Sequence, residues 1–199
     1  SLGDMAFLTQ QGWHYDLHAH IRRGGHVLGL CGGYQVLGQK LSDPNGVDGP
    51  AGELEGLGLL EVETLIQGVK QTRTVEATHL ATGFPINAYE IHAGQTHGPD
   101  CARPFAILSN GDQEGAVSRD GRISGTYLHG LFAKDAFRRK WLQTLRESTQ
   151  PQSQLDWAGA RMGYKDTVEQ ALEDLADSLE KALDIDTLFS QAAIPRFEL

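Results

Sequence analysis

Cysteine is scarce in this sequence. Two cysteines in 199 residues, Cys31 and Cys101, make no disulfide framework. Both sit in contexts that suit reduced thiols, which makes the cytoplasm the expected compartment. Long apolar runs are missing as well: none approaches the ~20 residues that span a bilayer, and no segment has the form of a signal peptide. Positive charge is outnumbered, with 17 Lys and Arg against 26 Asp and Glu and a formal net charge of −9. A phosphate backbone attracts a basic face, so this balance argues against a nonspecific nucleic-acid binder. Neither nucleic acid nor membrane is expected as a partner. Internal repeats and low-complexity tracts are absent, and so is a glycine-rich phosphate loop ending in Gly-Lys-Ser/Thr. An initiating methionine is also missing: the chain opens on SLGDMAF, as a processed or tagged chain or a piece of a longer one would.

What remains is a globular composition, 40% hydrophobic and 22% charged, long enough for one domain with a sizeable core. The segment SLGDMAFLTQQGW has a short helical spacing, and LHAHIRRGG continues as helix until Gly24-Gly25 ends it. His26 to Leu30 is a short apolar run, the pattern of a strand buried on both faces. Gly33 to Leu41 follows as helix, with Tyr34, Leu37 and Leu41 on one face. Helix, strand and helix in that rhythm predict an α/β fold. SDPNGVDGPAGELEG reads as loop. LGLLEVETLI reads as a strand, with the alternating VKQTRTVEATHL as its partner. INAYEIHAGQTHG holds a further strand, and the residues from Phe105 to Phe132 form a meander with turns at Asn110-Gly111 and Asp120-Gly121. Lys134 to Glu147 is helical, and a last helix carries the stripe Leu172, Leu175, Leu179 and Leu183 among acidic residues.

The stretch VLGLCGGYQVLG concentrates the chemistry. A strand turning sharply into a helix presents the residue at the turn above the sheet edge, and its neighbours there must be small. Gly32 and Gly33 meet that requirement after Cys31. A helix N-terminus favours the thiolate of a cysteine placed there, and the N–H groups past the turn can receive an oxyanion. The same residues also fit a small buried hydrophobe before a glycine turn. A thiolate nucleophile needs a base. His129, followed by Gly130 at the end of GTYLHG, can lean over a neighbouring turn, although a solvent-facing loop histidine has the same local sequence. His92 in YEIHAG is the second candidate, on a strand where it packs or hydrogen-bonds. His14, His18, His20 and His26 cluster near the start without a carboxylate or cysteine at ligand spacing, and a helix face explains them better than a metal does.

The motifs LGLCGGYQVLG, DPNGVDG, GLGLLEVET, YEIHAGQT and GTYLHGLF, in that order from about Gly3 to Arg139, resemble the glutamine amidotransferase domain of the cobyric acid synthase family. That family belongs to the class I, triad-type amidotransferases. The resemblance implies a flavodoxin-like class I glutamine amidotransferase fold with a central, mostly parallel sheet flanked by helices. It also implies one domain over residues 1–199, with a core of about 3–147 and a helical extension over 148–199. Cys31 is then the nucleophile and His129 its base, Gly32 and Gly33 form the elbow and oxyanion site, and Tyr34, Gln35 and His92 are candidate glutamine-binding residues. Many class I members carry a glutamate two residues after the histidine; here that position is Leu131, which fits the corrinoid branch and leaves Glu90 as the candidate third member. Glu90 equally suits a strand glutamate in a local network.

The implied partners are glutamine, an N-terminal ligase domain that this chain does not contain, and a corrinoid substrate through that domain. No cofactor is expected in this domain; ATP and Mg belong to the ligase. The chain reads as a C-terminal fragment or one part of a split enzyme. The related cobyrinic acid a,c-diamide synthase, the enzyme amidating a peptidoglycan lipid precursor, and a catalytically silent scaffolding domain are the alternatives.

Overall fold

A computed structural model of the chain describes residues 1–149 and 163–192. These fall into two compact units, the first ending with helix α4 and the second holding α5 and α6. The first unit begins with α1 (Leu2–Gln10) and α2 (Trp13–Arg22), then β1 (Val27–Leu30), α3 (Gly32–Leu37), β2 (Lys40–Asp43) and β3 (Gly52–Glu55). The long strands β4 (Glu63–His79) and β5 (Pro85–His97) follow. The short strands are β6 (Ala106–Leu108), β7 (Gln113–Glu114), β8 (Ala116–Val117), β9 (Ile123–Thr126) and β10 (Leu128–His129), and α4 spans Asp135–Thr149. The second unit holds α5 (Tyr164–Ala182) and α6 (Ile185–Gln191).

The α/β class is observed, but a mostly parallel sheet is not. One sheet has the order β1-β9-β8; the other runs β10-β5-β4-β2-β3, with β6 on β4 and β7 on β6. Among the described residues, parallel pairing is confined to β1 with β9 and β2 with β4. The other described pairs are antiparallel: β2–β3, β4–β5, β6–β7 and β8–β9 are consecutive strands joined as hairpins, and β4–β6 and β5–β10 pair across longer stretches of chain.

Two expected boundaries move for identifiable reasons. α3 stops at Leu37 rather than Leu41, and Leu41 lies on β2. The N–H groups of Leu57, Gly58, Leu59 and Leu60 donate to the carbonyls of Val36, Gly38 and Leu37, which the end of a helix leaves free. The segment expected to open a strand at Leu57 therefore caps α3 instead. VKQTRTVEATHL is not a partner strand: it continues the same strand, β4, and both halves pair with β5 across a register shift between Ile66 and Gln71. Gly68, at φ +78°, lies in that shift, where a β-bulge needs a residue free of the Cβ penalty. The loop expected after Leu41 contains β3, paired with β2.

Two apolar clusters fill the first unit. Tyr34, Leu37, Leu41, Leu60, Val62 and Ile66 lie in one, against which α1 and α2 pack Leu8, Leu17 and Ile21. Ile86, Phe105, Leu128, Leu131 and Phe137 lie in the other, with Trp141 at its margin. The α5 stripe is exposed, with Leu172, Leu175, Leu179 and Leu183 between 44% and 54% accessible. Among the described residues no helix is long and apolar enough to cross a membrane.

Candidate active site

Cys31 sits between β1 and α3 at φ 53° and ψ −115°, the one described non-glycine residue with positive φ. Such a backbone costs roughly 1–3 kcal/mol and persists only where the surroundings impose it. They do so here. Cys31 N–H donates to Thr126 O at 2.9 Å, continuing the β1–β9 ladder to the turn. α3 then folds back onto β1 at Gly29, where a Cβ would stand 2.6 Å from Leu37 Cδ1 and 2.7 Å from the Gly33 carbonyl. The small residue that the tight turn requires is thus Gly29. A Cβ on Gly33 would meet nothing within 4 Å, and one on Gly32 would approach Ser1 Oγ at 3.2 Å. The signal was present in LGLCGG but lay two residues before the cysteine.

The thiol of Cys31 donates to Ile91 O of β5 at 3.3 Å. It opens on a cavity of about 270 Å³ lined by Gly32, Gln35, Ile91, His92 and Ala93. Gln35 is 4% exposed; its Nε2 donates to Tyr127 Oη at 3.4 Å, while its Oε1 is buried without a partner. A buried acceptor left open beside a nucleophile is a place for a ligand's N–H. His92 stacks on Tyr127 with ring centroids 4.0 Å apart, and its Nδ1 lies 2.8 Å from Gly94 O. A carbonyl only accepts, so in the neutral ring Nδ1 carries the proton and Nε2 is left as an acceptor. Tyr34 is buried in the core, its hydroxyl 3.9 Å from Cys101 Sγ, and it does not line the Cys31 cavity.

His129 lies on β10, directly across the ladder from Tyr89, and the two rings stack at 5.1 Å and 10°. Its Nε2 is buried and has no hydrogen-bond partner. His129 does not line the Cys31 cavity, and no hydrogen bond joins it to Cys31. The two are nevertheless held by common strands. Thr126 O fixes the Cys31 backbone three residues before His129, and the Cys31 thiol rests on β5 two residues from Tyr89.

Glu90 is 4% exposed and ion-paired with Arg73, its direct cross-strand neighbour. Alternation along β5 sends Glu90 and Tyr89 to opposite faces, so Glu90 does not share the face on which His129 stacks. It lines a second cavity of about 870 Å³, together with Arg73, His92, Cys101 and Glu114. His92 borders both cavities. Cys101 is half-buried in a single 3₁₀ turn, and burial pushes its thiol up. Among the described residues no cluster of three or more His, Cys, Asp or Glu could hold a metal ion.

Sequence reasoning missed Tyr89, which carries the His129 ring, and Glu114, which accepts from Thr126 Oγ1 and Tyr127 N–H at 2.6 Å each. The tyrosine that opens YEIH could be paired with His129 only once the register with β10 was known. Glu114 had none, because its partners lie across a turn.

The chain is similar to a protein named cobyric acid synthase from Hyphomonas neptunium, at 54% identity over 195 residues, covering 98% of this chain and 37% of the relative. Proteins of the same name from Bradyrhizobium diazoefficiens (54% over 190 residues, 96% and 37%) and Brucella canis (48% over 192 residues, 96% and 38%) are similar too. The chain thus spans little more than a third of the length of these curated relatives. Residues 1–137 match the model of the CobB/CobQ-like glutamine amidotransferase domain, which takes in the Cys31 turn, both cavities and His129. The chain belongs to the CobB/CobQ-like glutamine amidotransferase family.

Proposed function

We propose that this chain is the glutamine-hydrolysing part of a cobyric acid synthase, supplying ammonia for amidation of corrin carboxylates in cobalamin biosynthesis. The observation that carries the reading is Cys31, strained at a strand-to-helix turn and open to a cavity in which buried Gln35 Oε1 lacks a partner. The similarity to cobyric acid synthases over nearly the whole chain supports the substrate class.

Cys31 can donate to Ile91 O only while it holds its proton. An ionised sulfur has nothing to donate and is repelled by a carbonyl oxygen, so once His129 takes the thiol proton the sulfur turns into the cavity. There the thiolate attacks the side-chain carbonyl of glutamine, forming a C–S bond and an oxyanion. The N–H groups of Gly32 and Gly33, at the open start of α3, are the donors for that oxyanion. Protonated His129 gives its proton to the departing nitrogen, the C–N bond breaks and ammonia leaves. Water, giving a proton to His129, attacks the glutamyl thioester; the C–S bond breaks and glutamate is released with the thiol restored. Gln35 Oε1 and His92 Nε2 are the acceptors for substrate N–H groups. His129 reaches the reacting atoms by a side-chain rotation off Tyr89, since its Nε2 has no bond to break.

The remainder of such a synthase would activate the corrin carboxylate with ATP and Mg, and ammonia would attack it there. The test is glutamate release by the synthase containing this chain, with ATP, Mg and cobyrinic acid a,c-diamide. Cys31→Ser abolishes it while the fold persists. Undiminished glutamate release from Cys31→Ser would end the proposal.

A further inference from the structure

Glu114 is 5% exposed and has no cationic partner among the described residues. Its Oε2 accepts from Thr126 Oγ1 and its Oε1 from Tyr127 N–H, both at 2.6 Å. Leu128 N–H donates to the same Thr126 hydroxyl at 3.1 Å, and Thr126 O accepts from Cys31 N–H. One carboxylate therefore secures residues 126–128, the link between the backbone partner of Cys31 and the His129 strand.

The turn that delivers Glu114 is built for close approach. Gly115 has φ +76°, and a Cβ there would stand 2.8 Å from Phe105 Cβ and run into Gly125 O. An ionised carboxyl held only by neutral donors at this depth is costly. Burial, with a smaller push from nearby Glu90, outweighs the two hydrogen bonds and raises Glu114 to about 7. Bonds to an ionised acceptor are shorter and more directional than neutral ones. A carboxylate here gives the link a fixed geometry at the expense of stability, a combination that packing alone does not call for.

We infer that Glu114 is a positioning residue for the Cys31–His129 pair, acting through its clamp on Thr126 and Tyr127. This rests on the glutaminase reading above. Loss of the clamp frees the link to shift, which displaces His129 and the Cys31 backbone together. A misplacement of about 1 Å at reacting groups can cost ~10²-fold in rate.

The test compares Glu114→Ala, Glu114→Gln and Thr126→Val with the unaltered synthase. Two readouts are taken: kcat and KM for glutamine, and the rate of Cys31 alkylation by iodoacetamide relative to Cys101. Glu114→Ala is expected to lower kcat and Cys31 alkylation by ~10-fold or more, with KM within about twofold. Glutamine can accept from Tyr127 N–H and donate to Thr126 Oγ1, so Glu114→Gln recovers most of both losses. An alanine variant at the unaltered rate, or a glutamine variant no better than alanine, overturns the inference. Should Glu114→Ala fail to fold, Thr126→Val carries the test, because it keeps the side-chain shape and removes the clamped hydroxyl. Thr126→Val is expected to lose roughly 10-fold in kcat and in Cys31 alkylation, and unaltered rates from it are equally fatal. If the unaltered synthase hydrolyses no glutamine, the glutaminase reading falls, and the alkylation rates still decide the role of Glu114.

Discussion

Cys31 and Cys101 have the same functional group and opposite surroundings. Cys31 borders the 270 Å³ cavity on a strained backbone, whereas Cys101 packs below Tyr34 with its thiol pushed up by burial. A reagent that requires thiolate should therefore choose between them. Limiting iodoacetamide is expected to label Cys31 first, by at least ~5-fold on peptide mass mapping; equal labelling would contradict the site assignment. Glu114 allows a sharper test of the same neighbourhood. Its folded value of about 7 lies above the ordinary 4.5, so between those limits the folded state binds more protons than the unfolded one. Stability contributed by this group is then present below the ordinary carboxylate range and is lost as pH rises to about 7, the reverse of a salt-bridged acid. Glu114→Gln removes that loss. Its stability advantage over the unaltered chain should grow by on the order of 3 kcal/mol between pH 4 and pH 8, at ~1.4 kcal/mol per unit. Urea unfolding at the two pH values measures it, and an advantage independent of pH would show that Glu114 titrates normally.

At the scale of elements, α3 and β1 meet through glycine rather than through interlocking side chains. Gly29→Ala would place a methyl group 2.6–2.7 Å from Leu37 and from the Gly33 backbone. Backbone cannot move aside as a flexible side chain can, so this substitution is expected to cost ~1–3 kcal/mol. Gly33→Ala meets open space and should leave the thermal midpoint nearly unchanged. Thermal unfolding of the pair separates the two, and equal losses would refute the contact. The same contact shows what the sequence could and could not tell. The strand, the turn at Cys31 and the helix after it were legible because a short apolar run, a glycine pair and a helical spacing are local signals. The end of α3 was not, because the amides that cap it come from Leu57 to Leu60, twenty residues downstream. β4 was read as two strands because a bulge at Gly68 looks like a turn until β5 supplies the register on both sides. The place of Cys31, the candidate nucleophile, at that turn was legible for the same local reason. Glu90 had two readings, a third member of the site or a strand glutamate in a local network, and only the β4–β5 register shows that its neighbour is Arg73.

At the scale of the whole molecule, the machinery proposed here stands in a resting arrangement. The Cys31 thiol is bonded to Ile91 O, the His129 ring is stacked on Tyr89, and no hydrogen bond joins the two. A proton passes between them only after that gap closes, and turning the thiol off Ile91 O or the ring off Tyr89 gives up a contact that this structure makes. The chain also spans little more than a third of its curated relatives. A partner that binds the engaged arrangement better than the resting one shifts the population toward it, by no more than its differential affinity for the two. The expected outcome is that this chain alone hydrolyses glutamine slowly, and that the rest of the synthase with ATP and corrinoid raises kcat by ~10-fold or more, as a shift of about 1.4 kcal/mol would. The gain should fall in kcat rather than in KM, because the cavity with Gln35 and His92 is already formed. Glutamate release from the chain alone and from the full synthase, measured over the same range of glutamine concentrations, decides the matter. Equal kcat from both would show that the rotations need no partner, and that the site reaches its working geometry within these residues.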